Sequence, residues 1–179
     1  MIQEGKATLP ESDEILIMEK MSECSFLKNV FHEGDPLIIS KENDWLFANL
    51  VKDMKTYVFG YKGGQMRDWG AHLPRWSLAV GSMELGLVIA HFSGVVKDGK
   101  YVLNHVSTIS RKCRNTDIHA SVSFAGTIEQ ISIDENCDNF LDKIYNVDVG
   151  VGSDFEKEPW AGAAKIILES IGRLKSGNW

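Results

Sequence analysis

The stretch that decides the fold runs from Trp76 to Arg111 and reads WSLAVGSMELGLVIAHFSGVVKDGKYVLNHVSTISR. Asp98-Gly99 lies between two runs rich in Val, Ile, Leu and Tyr. Such a dipeptide favours a type I′ turn, because both of its residues readily adopt a positive φ. The sequence therefore predicts one long hairpin with Asp98 and Gly99 as its two-residue loop.

The register of this hairpin decides which face each side chain occupies. A two-residue loop places Phe92 opposite His105, His91 opposite Val106 and, nearer the turn, Val96 opposite Tyr101. Side chains alternate between faces along a strand, so His91 and His105 are expected on opposite faces. Both faces carry apolar residues, which predicts that other elements cover each of them.

The segments on either side of the hairpin predict helices and further strands. Capping residues and apolar spacing indicate helices from Ser12, from Asn43 to Met54, from about Asp138 to Tyr145, and after Pro159. Strands are expected at 57–61, 118–124 and 127–133. We expect an α+β fold: an antiparallel sheet of about four to six strands on the 76–111 hairpin, with two N-terminal helices and a C-terminal helix packed on it. Residues 1–11 are predicted to be a flexible arm, and residues 12–179 a single domain.

Charge and hydropathy exclude several classes of partner. The net charge is −6 and the pI is near 5.4, whereas binding to phosphate backbones depends on clustered Lys and Arg. No apolar run reaches the ~20 residues of a membrane helix, and the first residues do not resemble a signal peptide. We predict a cytoplasmic protein that binds neither nucleic acid nor membranes and whose acidity suits a basic protein partner.

The three cysteines, Cys24, Cys113 and Cys137, are widely spaced and odd in number. Their spacing matches neither a disulfide framework nor a zinc site, so we interpret them as reduced thiols. No spacing of ligands or glycines indicates a metal or another cofactor.

A His-x-Ser pattern occurs three times, at His91, His105 and His119. Paired His-x-Ser or His-x-Thr motifs on neighbouring strands let two-histidine phosphoesterases place a general acid and a general base beside a phosphate. The predicted register separates His91 from His105, which favours half-buried strand histidines over a shared catalytic site.

The segment 67–76 has the most unusual composition in the chain. It combines two arginines, a carboxylate, a histidine and two indoles, and such a mixture is typical of a recognition pocket or a protein-binding hot spot. A structural connection whose indoles cover the core is the favoured interpretation. The binding candidates are Trp69, Arg75 and Trp76.

Three functions fit these features. The first is a small protein-binding or inhibitory module, comparable in size and acidity with immunity proteins, that acts through an acidic and aromatic surface. The alternative is a compact hydrolase or effector domain, whose candidate catalytic residues are His72, Arg67, Asp68, His105 and His119. A ligand-binding sheet or barrel would instead use aromatic walls, from Trp69, Trp76, Phe92 and Tyr101.

Overall fold

The computed structural model describes residues 9–67, 70–109, 113 and 117–179, without the side chains of residues 66, 67, 70 and 71. Within these ranges the α-helices are α1 (Glu11–Glu23) and α2 (Ala161–Ser176), and a 3-10 helix spans Ser25–Leu27. The strands are β1 (Ile38–Glu42), β2 (Trp45–Lys52), β3 (Lys55–Lys62), β4 (Gln65–Arg67), β5 (Gly70–His72), β6 (Arg75–Ser82), β7 (Leu87–Lys97), β8 (Lys100–Thr108), β9 (Ile118–Val122), β10 (Ile128–Ile133) and β11 (Lys143–Val149).

Nine of the described strands form a single antiparallel sheet, in the order β1-β2-β3-β6-β7-β8-β9-β10-β11. The remaining two, β4 and β5, pair with each other as a small hairpin in the connection between β3 and β6. The prediction of four to six strands with two N-terminal helices is therefore wrong. The described chain is mostly sheet, with one α-helix near the N-terminus and one at the C-terminal end.

The segment predicted as a second N-terminal helix, Asn43 to Met54, is strand β2 and its two turns. Leu46 and Leu50 are four residues apart, which suits a helix, but Ala48 between them is also buried, which gives the two-residue period of a strand. The turns Asn43-Asp44 and Asp53-Met54 have positive φ at both residues. These are the backbone angles of type I′ hairpin loops, without the glycine that usually signals one.

The short helix predicted between Asp138 and Tyr145 is also absent from the described structure. A loop occupies residues 134–142, and β11 follows it. The buried carboxylate of Asp134 accepts backbone N–H groups from Cys137, Asp138 and Asn139 at 2.8–3.3 Å. These hydrogen bonds hold the segment as a loop, because they use N–H groups that would otherwise be available to a helix.

The central hairpin is shorter than predicted, since Trp76 belongs to β6 and the two arms are β7 and β8. Asp98 and Gly99 have the predicted positive φ, and Val96 pairs with Tyr101 as expected. Farther from the turn the register shifts by one residue between Ser93 and Gly94, where β8 contains an extra residue.

This β-bulge changes the partner of every residue beyond it. Phe92 pairs with Val106 rather than with His105, and His91 pairs with Ser107 rather than with Val106. The predicted register is wrong in this half of the hairpin. Because the shift is one residue, His91 and His105 lie on the same face of the sheet.

Both helices pack on one face of the sheet. Helix α1 contacts β2 and β3, and helix α2 contacts β8, β9 and β10. Their buried side chains, including Ile17 on α1 and Ile167 on α2, join the inward residues of the strands in one core. Helix α2 follows the predicted position after Pro159. Gly177, with φ 65°, caps its C-terminal end, as a glycine after a helix commonly does.

A disulfide joins Cys113 to Cys137, with 5.5 Å between their Cα atoms. The interpretation of these two residues as reduced thiols is therefore wrong. Their spacing carries no disulfide signature, because the β8–β9 and β10–β11 connections meet only in the folded sheet. Cys24 is free and buried, and its burial raises the pKa of its thiol to about 11. In the described ranges, no helix has the length and apolar character needed to cross a membrane.

Candidate ligand-binding site

The face of the sheet that points away from α1 and α2, here called the outer face, carries aromatic, cationic and small polar side chains. Cross-strand pairing arranges them in three rows. The first row is Trp45, Lys62, Arg75 and Val95; the second is Phe47, Gly60, Ser77, Ser93, His105 and Ser121; the third is Asn49, Val58, Ala79, His91, Ser107, His119 and Ser132.

Two aromatic rings at one side of this face form a flat wall. Trp45 and Phe47 share a face of β2, and their rings are nearly parallel, at 12° and 6.0 Å between centroids. A Cβ atom on the neighbouring Gly60 would lie 2.4 Å from the Ser77 hydroxyl and 3.0 Å from the Phe47 ring. The glycine therefore lets the Phe47 ring lie close to β3.

A cavity of about 470 Å³ opens beside this wall. Its volume is within the usual range for small-molecule sites, roughly 300–1,000 Å³. The described lining contains a guanidinium, an imidazole, hydroxyls and a carboxamide, but no carboxylate. The lining residues are Trp45, Phe47, Arg75, Trp76, Ser77, His91, Ser93, Gly94, Val95 and Asn104.

Positive charge is concentrated at one end of the cavity. Arg75 also borders a smaller cavity of about 150 Å³, together with Lys62 and His72. Lys62 and Arg75 are direct cross-strand partners, so two cations lie side by side at this point. An anionic group is the ligand chemistry that this end of the cavity favours.

The three strand histidines lie near one another beside the cavity. Burial lowers the pKa of His91, His105 and His119, and each of the first two is lowered further by a neighbouring imidazole. Asp117 raises the pKa of His119 in opposition to the burial effect. Within the described chain, no three His, Cys, Asp or Glu side chains are placed to hold a metal ion.

The residues predicted from segment 67–76 lie in different surroundings. Arg75 is exposed and borders both cavities, and His72 is exposed at the smaller one. Trp76 is fully buried, although it borders the larger cavity, and its indole N–H donates to the Val102 carbonyl at 3.1 Å. Asp68, Trp69 and the side chain of Arg67 are outside the described residues.

The structure brings some of the other predicted residues together and separates the rest. His105 and His119 are neighbours, with 5.5 Å between their ring centroids. Phe92 and Tyr101, predicted as walls of a ligand site, are instead packed in the core. The ring centroids of Phe92 and Trp179 are 5.3 Å apart. Phe92 and Tyr101 therefore do not line an internal cavity.

The predicted site residues did not include Trp45, Phe47 or Asn104. The signal for the first two was the alternation of Trp45, Phe47 and Asn49 with buried residues along β2, which the assignment to a helix concealed. Asn104 is the extra residue of the β8 bulge and lines the cavity for that reason. Its position depends on pairing that local sequence does not specify.

These groups suit recognition of an anionic molecule, because Arg75 provides charged donors and the aromatic wall provides an apolar surface. Serine hydroxyls and the Asn104 carboxamide add neutral hydrogen-bonding groups.

Comparison with known proteins finds no family model, curated protein or solved structure that matches this chain.

Proposed function

We propose that the protein binds a small organic anion on the outer face of its sheet. The flat apolar part of the ligand lies against Trp45 and Phe47, and its anionic group meets Arg75. The observation that carries this proposal is the pairing of an aromatic wall with a cationic end in one cavity of about 470 Å³, whose described lining holds no carboxylate.

Local structure supports a cavity that is formed before the ligand arrives. Gly60 allows Phe47 to lie against the sheet, and Trp45 is stacked beside it. Rigid aromatic walls lose little conformational entropy on binding, which favours affinity. Since all of these groups stand on strands of one sheet, their relative positions are fixed by backbone hydrogen bonds.

Anilinonaphthalene sulfonate, a planar aromatic anion, is a suitable probe for this proposal. We expect saturable fluorescence enhancement at one site, and a roughly ten- to hundredfold weaker affinity in Arg75→Ala, because a charge-assisted hydrogen bond is lost. Trp45→Ala should also weaken binding. Fluorescence titration gives the dissociation constants, and thermal unfolding verifies that each variant is folded.

Arg173→Ala is the matched control, since Arg173 is an exposed arginine on α2 that pairs with Glu169. Its affinity for the probe should equal that of the unchanged protein. Equal affinity in Arg75→Ala and Arg173→Ala would contradict the proposal, because the cation in the cavity would then contribute nothing.

Protein binding is the second candidate function, and the exposed edge of β11 favours it. Phe140, in the loop before β11, is 75 % exposed, and Ile144, on β11 at the edge of the sheet, is 60 % exposed. Glu135 and Asp138 are exposed in the adjoining loop, which suits a basic partner. An edge strand with apolar neighbours is also the geometry through which a partner adds a strand.

A pull-down with the double variant Phe140→Ser/Ile144→Lys tests this second function. A specific protein partner captured by the unchanged chain should be lost by the double variant. Ile38→Ser is the control, because Ile38 is 68 % exposed on β1 at the opposite edge of the sheet. Equal capture by all three proteins would contradict binding at β11.

Cysteine chemistry supports a proposal for the compartment. Sequence spacing predicts a cytoplasmic protein with reduced thiols, whereas the Cys113–Cys137 disulfide favours an oxidising compartment. We infer that the protein functions where this disulfide persists.

A further inference from the structure

The β8 bulge gathers a group of hydrogen-bond donors on the outer face, beyond the cavity described above. His105 on β8 pairs directly with Ser121 on β9, and His119 stands two residues before Ser121 on the same face. Directly opposed Cβ atoms are roughly 5 Å apart, and side chains two residues apart on a strand are roughly 7 Å apart. The three side chains therefore form a small triangle.

The two imidazoles of this triangle are in close contact. Their ring centroids are 5.5 Å apart, and the rings are inclined at 51°. Both residues are only half-buried, so solutes reach them from the outer face. Neutral imidazole provides one N–H donor and protonated imidazole provides two, and the Ser121 hydroxyl adds another.

Among the residues that the structure describes, the charges that face the triangle are few. On β6 the outward cation is Arg75, and on the connection before β9 the buried carboxylate of Asp117 acts on His119. The outward residues of β10 opposite Ser121 and His119 are the neutral Gln130 and Ser132. On β7 they are Ser93 and His91, which is the third imidazole.

We propose that His105, His119 and Ser121 bind the phosphoryl group of a small phosphate ester. Burial lowers the pKa values of both histidines, and the imidazoles of His119 and His91 lower that of His105 further. A bound dianion offsets both effects, because it stabilises the protonated rings. Phosphate binding is therefore coupled to proton uptake at His105 and His119.

The chemistry distinguishes a phosphoryl group from the other occupants of a two-histidine site. A metal ion would need three or more ligands, and no group of three His, Cys, Asp or Glu side chains in the described chain is placed to hold one. A tetrahedral oxyanion instead presents several acceptor oxygens to donors that converge from two strands. The site is separate from Trp45 and Arg75, so it extends the proposed function without resting on it.

Inorganic phosphate is the probe that tests this site. In NMR titrations of the intact protein at constant ionic strength, the ring signals of His105 and His119 should shift with phosphate and saturate. Their apparent pKa values should rise in saturating phosphate, whereas the ring signals of the distant, exposed His32 should not respond to phosphate. Chloride at equal ionic strength should leave all three unchanged.

Variants locate the binding groups. His119→Gln should abolish the saturable shift at His105, and Ser121→Ala should weaken phosphate binding roughly two- to tenfold, as expected for one neutral hydrogen bond. His32→Gln and Arg173→Ala should both retain the affinity of the unchanged protein. Ser121→Ala also separates the two proposals, because Ser121 does not line the larger cavity and its loss should weaken phosphate and spare the aromatic anion.

A linear response to phosphate in the unchanged protein, equal at His105, His119 and His32, would overturn the proposal. This measurement requires no variant, so the test stands if His119→Gln fails to fold. Retention of the saturable shift at His105 in a folded His119→Gln would overturn it as well.

Discussion

Replacing Trp76 by alanine should destabilise the protein by roughly 3–5 kcal/mol, the usual cost of removing a large aromatic side chain from a core. The Trp76 side chain is fully buried. Its ring centroid lies 5.3 Å from that of Phe26 and 6.1 Å from that of Tyr101. Its indole N–H also donates to the Val102 carbonyl, which would lose that partner. In a chain of this length, such a loss lowers the thermal midpoint by roughly 10 °C.

Trp45→Ala is the matched control, because it removes the same side chain from the half-exposed outer face. Its effect on stability should be much smaller than that of Trp76→Ala. Trp76→Phe should fall between them, since it keeps most of the packing and loses the hydrogen bond to Val102. Urea unfolding followed by circular dichroism gives the three free energies.

The comparison of these variants also tests the sequence-based prediction that Trp76 is a binding residue. Trp76→Ala could keep nearly unchanged stability and no longer bind anilinonaphthalene sulfonate. That result would show that the indole contacts the ligand. Loss of stability in Trp76→Ala, with loss of probe binding confined to Trp45→Ala and Arg75→Ala, assigns Trp76 to the core.

Local sequence predicted the turn of the central hairpin but not its full register. Asp98-Gly99 fixes the pairs nearest the loop, because a type I′ turn admits one alignment there. The bulge beyond Gly94 depends on close packing. A Cβ atom on Gly94 would lie 1.7 Å from the Val102 carbonyl oxygen, so only glycine fits this approach. Glycine in a strand suggests a bulge, yet it does not say which strand carries the extra residue.

The helix wrongly predicted from Asn43 to Met54 shows a second case in which local sequence does not specify the structure. Leu46 and Leu50 satisfy both the helical and the strand period, and sequence alone does not separate the two for so short a segment. Pairing with β1 and β3 along the whole of β2 decides for the strand. Helix α2 was predictable, because its apolar positions recur over sixteen residues and only a helix suits them.

The β8 bulge and the ambiguous period of β2 also decided how much of the candidate site was predictable. Arg75, His105 and His119 were recognised by residue type, because charged and titratable side chains are candidate site residues in any fold. Trp45 and Phe47 were not, because a helix would have placed them on different faces. The grouping of His105 with His91 needed the bulge. Residue chemistry was thus readable from the sequence, whereas its geometry depended on long-range pairing.

Removing the disulfide with Cys113→Ser/Cys137→Ser should destabilise the protein by roughly 3 kcal/mol, as expected for closing a loop of this size in the unfolded chain. The two cysteines are 24 residues apart and tie the β8–β9 connection to the loop after β10. Asp134 adds to the same junction, because its backbone N–H donates to the Asp117 carbonyl at 2.8 Å. Chemical unfolding with and without dithiothreitol measures the effect.

Reductant should lower the stability of the unchanged protein to that of the double variant, and should not change the double variant itself. Cys24→Ala is the control, because Cys24 is a buried free thiol, and this variant should remain sensitive to reductant. Titration of thiols after unfolding without reductant should find only Cys24. Three reactive thiols in freshly purified protein, with no effect of dithiothreitol on stability, would restore the reduced state that the cysteine spacing predicts and remove the argument for an oxidising compartment.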